Sequence, residues 1–306
     1  MGQLHVKNRY RAFGLNMISD FTLEELLSGE EAKAEIQIIN GTVPSEVIDP
    51  TGNNEYIQSS KNEYLLNIKN IAKYYVSDGN KIVVEPYLGA DFAQIKPYLY
   101  NIVFEILMMQ RGMVAIHGSA AVINEQCVIF TGMSGAGKST LALALKKMNY
   151  PFITDDVAYL SFSENGSIMV RPGFPEHKLC KDTIEAVGVN LKSEPCSYSE
   201  QQEKYYLSVT NGLPDIPVHL HSIYELRPAK CNEVTILKIE GMEKVAALLR
   251  QTYPAKFLKL FGAEAFYFEK LTYISENTSV YQIMRPETGF TFDKQIELIL
   301  KDWKDK

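Results

Sequence analysis

The segment Cys127–Met148 reads CVIFTGMSGAGKSTLALALKKM and contains three kinds of sequence in succession. It begins with apolar residues of the kind that form a short, buried strand. From Lys138 onward it consists mainly of residues with high helix propensity. Between these parts, Gly132 and Gly137-Lys138-Ser139 match the spacing G-x-x-x-x-G-K-S at every required position. The segment therefore predicts a strand, a glycine-rich loop and a helix.

A loop of this composition is suited to binding phosphate groups. Glycines let consecutive backbone N–H groups turn toward phosphate oxygens, and the positive end of the following helix points to the same place. Lys138 would contact the β- and γ-phosphates of ATP, and the Ser139 hydroxyl would bind Mg²⁺. The competing interpretation is a glycine-rich turn that binds nothing. The predicted nucleotide-binding residues are Gly132, Met133, Ser134, Gly135, Ala136, Gly137, Lys138, Ser139 and Thr140.

Two consecutive carboxylates, Asp155 and Asp156, follow the next apolar segment, Phe152–Thr154. At the end of a strand beside a phosphate-binding loop, such a pair suits Mg²⁺ binding and proton abstraction from an acceptor. The alternative is a helix cap or a strand-end turn, where aspartate is common. The neighbouring loop favours the catalytic interpretation.

Two histidine-containing segments are further candidates. His117 lies in Ile-His-Gly-Ser, where a histidine is either a structural hydrogen-bonding residue or part of the active site. His177-Lys178 follows a Pro-Gly-Phe-Pro segment. It either brings a basic group toward phosphate or substrate, or belongs to a solvated loop.

Composition excludes several classes of protein. The 306 residues carry a formal net charge of −6, which argues against a nucleic-acid-binding protein. The four cysteines show no metal-binding spacing and are interpreted as free thiols of a reducing compartment. The N-terminus lacks the apolar segment of a signal peptide, and no segment is apolar enough to span a bilayer. We therefore expect a cytoplasmic protein that does not bind membranes.

The chain is predicted to have two domains: a β-rich N-terminal accessory domain over residues 1–95 and a catalytic domain over residues 96–306. Thr22–Ser28 is predicted as a short helix with a capping box, and a second helix is predicted to begin at Pro97 and end near Gln110. The polar segment Lys192–Lys204 is predicted to be a mobile loop. The remaining predicted elements are a strand pair or long strand over Met113–Ile123, strands over Ser222–Arg227 and Val234–Ile239, a helix over Val245–Gln251 and a closing C-terminal amphipathic helix.

The order and separation of these motifs resemble the catalytic core of the HPr kinase/phosphorylase family. His117-Gly-Ser lies 21 residues before Lys138, and Asp155-Asp156 begins 17 residues after it. The resemblance implies a mixed α/β (α+β) fold like that of phosphoenolpyruvate carboxykinase, with the P-loop between strands of a mixed sheet. It also implies that Lys138 contacts the phosphates, that Ser139 and one aspartate, Asp156 in our assignment, hold Mg²⁺, and that the other aspartate is the base. His117 would orient that carboxylate.

A divergent branch of the family shares more of the sequence. The shared segments are Tyr10-Arg-Ala-Phe-Gly-Leu15, Gln110-Arg-Gly112, the Pro-Gly-x-Pro segment and Arg285-Pro286. These segments resemble HPr-kinase-related proteins of lasso-peptide biosynthesis, whose members phosphorylate the C-terminal serine of the precursor peptide. The implied activity is an ATP- and Mg²⁺-dependent serine kinase acting on a peptide or small protein, and the resemblance allows a homo-oligomer.

Two other functions are compatible with the same motifs. One is a nucleotide-binding regulator or scaffold with weak ATPase activity. The other is a small-molecule kinase, for which a deep closed pocket is expected in place of an open groove.

Overall fold

The computed structural model describes residues 7–50, 52–53, 56–60, 62–189, 197–199, 202–209, 213–252, 258–259 and 262–304. None of the helices in these ranges is both long enough and apolar enough to cross a membrane. Strands and helices alternate irregularly along the chain, and the sheets contain parallel and antiparallel pairs, so the fold is a mixed α/β fold.

The chain forms two compact units. The first consists of Met1–Ala115 and Pro254–Glu269, and the second of Ile116–Tyr253 and Lys270–Lys306. The predicted boundary lies between residues 95 and 96, whereas the first segment of the first compact unit ends twenty residues later, at Ala115. The first unit also includes Pro254–Glu269, which the prediction placed in the catalytic domain.

A nine-stranded sheet dominates the first unit. The order is β3-β1-β2-β4-β9-β8-β7-β6-β5, with β4 parallel to both β2 and β9 and all other pairs antiparallel. Alternating burial along β2 and β4 reflects one face packed against the core. The strands are β1 Asn8–Ala12, β2 Leu15–Ser19, β3 Leu27–Ser28, β4 Ile36–Asn40, β5 Gly52–Asn53, β6 Ile57–Ser59, β7 Glu63–Ile68, β8 Ala72–Ser77 and β9 Lys81–Pro86.

The predicted helix over Thr22–Ser28 is wrong. The Leu23 amide donates to the Tyr10 hydroxyl, the Leu26 amide closes a turn onto Leu23, and Leu27–Ser28 pairs with β1. Leu23 and Leu26 are both buried. Tertiary pairing and burial therefore override the local capping signal.

The helix predicted to begin at Pro97 begins earlier. Helix α1 spans Phe92–Tyr98 and is capped by Asp91, whose side chain accepts a hydrogen bond from the Ala93 amide within a capping box. A π-helical turn over Leu99–Val103 leads into α2, Phe104–Gln110. Pro97 lies within α1, where it removes one N–H from the helix, and the π-helical turn begins two residues later. The predicted end at Gln110 is confirmed.

An eight-stranded mixed sheet forms the centre of the second unit. Its order is β11-β10-β13-β14-β18-β20-β19, with β12 on β10 and an additional parallel pairing of β11 with β18. The strands are β10 Val114–Ile123, β11 Gln126–Thr131, β12 Phe152–Thr154, β13 Val157–Phe162, β14 Ile168–Val170, β18 Val218–Ala229, β19 Thr235–Ile239 and β20 Ser279–Pro286. Strand β11 pairs with both β10 and β18. The strands β11, β10, β13, β14 and β18 therefore form a closed ring of paired strands.

A small antiparallel sheet accompanies it, in the order β15-β17-β16. Its strands are β15 Glu176–Cys180, β16 Ser197–Ser199 and β17 Gln202–Ser208. The loop predicted for Lys192–Lys204 is therefore wrong for residues 197–199 and 202–204, which form the paired strands β16 and β17. Residues 192–196, 200 and 201 lie outside the described residues.

Helices cover the second unit's sheet and complete its core. Leu141 and Leu145 of α3 pack with Phe130 of β11, and Ile296 and Ile299 of the last helix join the same cluster. The predicted C-terminal amphipathic helix is confirmed. The helices that follow α2 are α3 Lys138–Lys147, α4 Lys181–Val187, α5 Met242–Arg250, α6 Glu264–Asn277, which crosses the boundary between the two units' segments, and α7 Phe292–Lys304.

Candidate functional site

The glycine-rich loop connects β11 to α3, as its sequence requires. Gly132, Gly135 and Gly137 have φ values of 131°, 80° and 102°, a region that side chains with a Cβ rarely adopt. A Cβ on Gly132 would also stand 2.5 Å from the Leu226 carbonyl oxygen. The loop therefore depends on glycine for both its backbone conformation and its close approach to β18.

The predicted catalytic residues converge on one cleft of about 390 Å³ in the second unit. Its lining includes His117, Lys138, Ser139, Asp155 and Asp156. From the loop, Ser134, Gly135, Gly137 and Thr140 also line it, whereas Gly132, Met133 and Ala136 do not.

Asp155 is a buried carboxylate held by several donors. Its Oδ1 accepts hydrogen bonds from Ser119 Oγ at 2.5 Å and from Ser139 Oγ at 2.9 Å. Its Oδ2 accepts one from the Lys178 amide at 3.0 Å. Its side chain is only 4% exposed. This carboxylate is fixed against the first turn of α3, beside the hydroxyl that the sequence assigns to Mg²⁺.

His177 packs behind the same carboxylate. Its Nε2 lies 3.6 Å from Asp155 Oδ2, and its ring lies 4.8 Å from that of Phe152. Burial lowers the pKa of His177, with Asp155 acting in the opposite direction. The solvated-loop interpretation is therefore wrong for His177, which is completely buried, whereas the neighbouring Lys178 lines the cleft.

Asp156 has the opposite environment. Its side chain is 47% exposed, and its Oδ1 lies 3.5 Å from Nδ1 of His117. Its φ of 72° turns the chain sharply after Asp155, so the two carboxylates occupy different places in the cleft. Burial lowers the pKa of His117, the Lys138 charge lowers it further, and Asp156 opposes both. A neutral His117 is therefore favoured beside this carboxylate.

Two buried cations bind the carbonyl groups of the loop. Lys138 Nζ donates to the carbonyl oxygens of Gly132 at 2.8 Å and Met133 at 3.1 Å. Arg285, at the end of β20, donates from Nε to the Ala136 carbonyl at 2.9 Å and from Nη2 to the Gly135 carbonyl at 3.2 Å. Arg285 thus adds a further cation to the cleft, besides Lys138 and Lys178. Sequence reasoning noted it only as part of a shared Arg-Pro segment.

A polar network fixes the start of the loop. The Gly132 amide donates to Gln251 Oε1 at 3.1 Å, and Gln251 Nε2 donates to Glu225 Oε1 at 3.2 Å. Arg250 Nη2 lies 3.4 Å from Glu225 Oε2. Sequence reasoning missed Glu225 and Gln251. The available signal was a carboxylate inside the otherwise hydrophobic segment Ile223–Leu226.

The residues present are compatible with Mg²⁺ bound together with a nucleotide. Within the described ranges, no three or more histidine, cysteine, aspartate or glutamate side chains converge as a metal-binding group. Mg²⁺, however, commonly uses one or two protein oxygens together with substrate phosphates. Ser139 Oγ and Asp155 Oδ1 supply such a pair, 2.9 Å apart. The prediction that Asp156 binds the metal stays a prediction.

Comparisons with known proteins give little support for any assignment. No protein-family model matches the chain, and no curated protein matches it. Among solved structures, a similar chain is the Hpr(Ser) kinase/phosphatase from Coxiella burnetii, at 15% sequence identity and a TM-score of 0.33. The similarity covers 62% of this chain and 90% of that chain. At this TM-score the likeness carries no argument, so any assignment of activity depends on the geometry of the cleft.

Proposed function

We propose that this chain is an ATP- and Mg²⁺-dependent kinase that transfers the γ-phosphoryl group to a serine hydroxyl of a peptide or small protein. One observation carries the proposal: consecutive carboxylates line a single cleft beside a phosphate-binding loop, with Asp155 buried and Asp156 exposed. In protein kinases, one carboxylate holds Mg²⁺ and another accepts the proton of the acceptor hydroxyl.

The loop and its lysine would hold the nucleotide. Backbone amides of the loop and of the first turn of α3 would bind the phosphates, and Lys138 would exchange its two loop carbonyls for β- and γ-phosphate oxygens. When bound, Mg²⁺ would neutralise charge on the β- and γ-phosphates. Ser139 and Asp155 would hold it, because their oxygens already lie together. This assignment gives the metal to Asp155, whereas the sequence-based assignment gave it to Asp156.

Asp156 would act as the base. Its exposed carboxylate would take the proton from the acceptor hydroxyl as the oxygen attacks the γ-phosphorus atom. The bond from that phosphorus to the β–γ bridging oxygen would break, and ADP would leave with the electron pair. His117, favoured as neutral imidazole, would orient Asp156 without neutralising its charge.

The proposed acceptor is a serine in a peptide or small protein, and the specific candidate is the C-terminal serine of a lasso-peptide precursor. The proposal includes a phosphoenolpyruvate-carboxykinase-like core, a cytoplasmic site of action, no nucleic-acid or membrane partner, and a homo-oligomer. The sequence motifs motivate the core fold, the acceptor and the oligomer, and the composition motivates the site of action and the excluded partners.

Transfer of labelled γ-phosphate to a serine-containing precursor peptide tests the proposal. We expect the parent protein to label the peptide at serine and Lys138→Ala to be inactive. Asp156→Asn should keep ATP affinity within about threefold while turnover falls about 10²–10⁴-fold, the usual contribution of a general base. Asp155→Asn should need about tenfold more Mg²⁺ for half-maximal ATP binding, since it removes a metal-binding oxygen.

The variants separate the competing functions. Unchanged turnover in Asp156→Asn would contradict its role as base. ATP binding by the parent without transfer to any peptide would favour a nucleotide-binding regulator. Transfer to free serine but not to peptide would favour a small-molecule kinase.

A further inference from the structure

One wall of the cleft has no role in the chemistry described above. We use the term neutral wall for the uncharged lining residues Thr183 of α4, Phe290 and Thr291 just before α7, and Phe292 and Gln295 in its first turn. None of these side chains is charged. A nucleoside triphosphate is anionic only along its phosphates, so its base and sugar require a neutral surface of this kind.

Gln295 carries an unused hydrogen-bond acceptor in this wall. Its amide nitrogen Nε2 donates to Thr291 Oγ1 at 3.0 Å, and its backbone N–H donates to the Thr291 carbonyl at 3.0 Å. These bonds fix the side chain, which is only 4% exposed. Its Oε1 is buried and has no hydrogen-bond partner among the described residues. Buried polar atoms are seldom left unpaired, so this oxygen indicates a ligand that donates an N–H or O–H.

Phe290 supplies a flat apolar surface in the same wall. Its side chain is 51% exposed, although large aromatic side chains are normally buried. It meets Phe292 edge-on, with ring centroids 6.3 Å apart. A planar base stacked on Phe290 would cover this exposed ring.

The direction of the loop places a nucleoside on this side. In loops of this kind the lysine contacts the β- and γ-phosphates, so the terminal phosphate lies toward Lys138 and Asp155. Thr140, two residues after Lys138 in α3, has its hydroxyl 3.0 Å from that of Thr183. Asp182, next to Thr183, and Glu287, three residues before Phe290, also line the cleft and would repel phosphates. The base and sugar would therefore lie against the wall, and the phosphates at the lysine end.

We propose that Phe290 and Gln295 form the nucleobase subsite, with the adenine ring stacked on Phe290 and its exocyclic amine donating to Gln295 Oε1. This rests on the proposed function only in requiring that the loop bind a nucleoside triphosphate. The proposal assigns nucleotide selection to the start of α7 and leaves the Asp156 side of the cleft for the acceptor.

Equilibrium binding of three probes to the full chain tests the subsite without any turnover. The probes are ATP, purine riboside triphosphate, which lacks the exocyclic amine, and inorganic tripolyphosphate, which lacks the nucleoside. The parent protein should bind ATP about tenfold more tightly than purine riboside triphosphate, the value of one hydrogen bond to a buried acceptor. Gln295→Met should bind these two nucleotides equally. Tripolyphosphate should bind equally to parent and variant.

Phe290→Ala tests the stacking contact. It should weaken binding of both nucleotides about tenfold and leave tripolyphosphate binding unchanged. Phe268→Ala is the matched control, because Phe268 is 54% exposed and does not line the cleft. It should bind all three probes as the parent does. Thermal unfolding of each variant verifies that the fold is retained.

The outcomes separate this subsite from the kinase assignment. Equal affinity of the parent for ATP and purine riboside triphosphate would overturn the Gln295 contact. A Phe290→Ala variant with parental ATP affinity but a raised KM for a peptide acceptor would assign the wall to the acceptor and overturn the subsite. The predicted binding pattern without phosphoryl transfer would retain the subsite and reject the kinase assignment.

Discussion

Asp155 and Asp156 are consecutive residues with the same side chain, yet their neighbours give them different chemistry. Two serine hydroxyls and a backbone amide bind Asp155, and His177 packs against it. Asp156 faces the open cleft with His117 as its neighbour. A buried carboxylate whose neighbours fix its orientation is suited to holding a metal, whereas an accessible one is suited to taking a proton. Environment therefore separates roles that the sequence alone leaves interchangeable.

Gly173 lies directly against Thr154, the residue that precedes the aspartate pair. A Cβ on Gly173 would lie 2.0 Å from Thr154 Oγ1 and 2.6 Å from Thr154 Cβ. Thr154 Oγ1 also donates to the Val157 carbonyl at 2.7 Å, across the turn that contains Asp155 and Asp156. Gly173→Ala should therefore destabilise the second unit by about 1–3 kcal/mol, as overpacking usually does, and lower turnover as well. Urea unfolding followed by Trp303 fluorescence gives the first quantity, and initial rates give the second.

Gly41→Ala is a control for the glycine-to-alanine change itself. The nearest atoms to its added Cβ are side-chain carbons at 3.6 and 3.9 Å, which is ordinary contact. Its effect on stability should stay within about 0.5 kcal/mol. A Gly173→Ala protein with parental stability and turnover would show that the turn tolerates displacement of Thr154, against our expectation.

Helix α2 contains a buried carboxylic acid, from which we expect the stability of the first unit to depend on pH. Glu105 is 4% exposed between the buried residues Phe104 and Ile106. Burial raises its pKa to about 9, from 4.5. Between these values the unfolded state releases a proton that the folded state keeps. The contribution of Glu105 to the free energy of unfolding is therefore fully present below pH 4.5 and is lost as the pH rises toward 9.

Hydrogen exchange of α2 measures this loss. Between pH 6 and pH 8, the free energy of opening in the parent should fall by about 1.4 kcal/mol per pH unit, the value of one proton. Glu105→Gln, which keeps the neutral form, should remove this slope. Glu24→Gln, at an exposed glutamate of the same unit, should keep the parental slope. Identical slopes for the parent and Glu105→Gln would mean that Glu105 ionises freely in the folded helix.

The elements that sequence predicted well are those whose signals are local. The apolar segment before the loop, the glycines and the helix propensity of Lys138–Lys147 are contiguous, and β11, α3 and β12 lie where the sequence placed them. Thr22–Ser28 has a helix signal that a strand partner distant in sequence overrides. The roles of Arg285 and Gln251 could not be predicted, because each reaches the loop from an element more than a hundred residues away. Long-range pairing is not encoded in any short window of sequence.

The first compact unit is built from two separate segments of the chain. The second of these segments comes after most of the second unit's sequence. Residues 254–269 belong with Met1–Ala115, although residues 116–253 intervene. Tyr267 in this late segment is 1% exposed, and its hydroxyl lies 3.4 Å from the Ala115 amide. A domain is stable by only about 5–15 kcal/mol, and loss of a buried aromatic side chain costs about 3–5 kcal/mol. We therefore expect the late segment to contribute a large part of the first unit's stability.

A fragment comprising residues 1–115 should accordingly lack a cooperative thermal transition in circular dichroism and should bind a hydrophobic dye. Joining the same fragment to residues 254–277 through a flexible Gly-Ser linker supplies Tyr267 together with the whole of α6, and should restore the transition. Tyr267→Ala in the joined fragment should abolish it again, because a cavity replaces the buried ring. If residues 1–115 alone unfold cooperatively with the same midpoint as the joined fragment, the nine-stranded sheet folds without the late segment. The late segment would then contribute little to the first unit's stability, against our expectation.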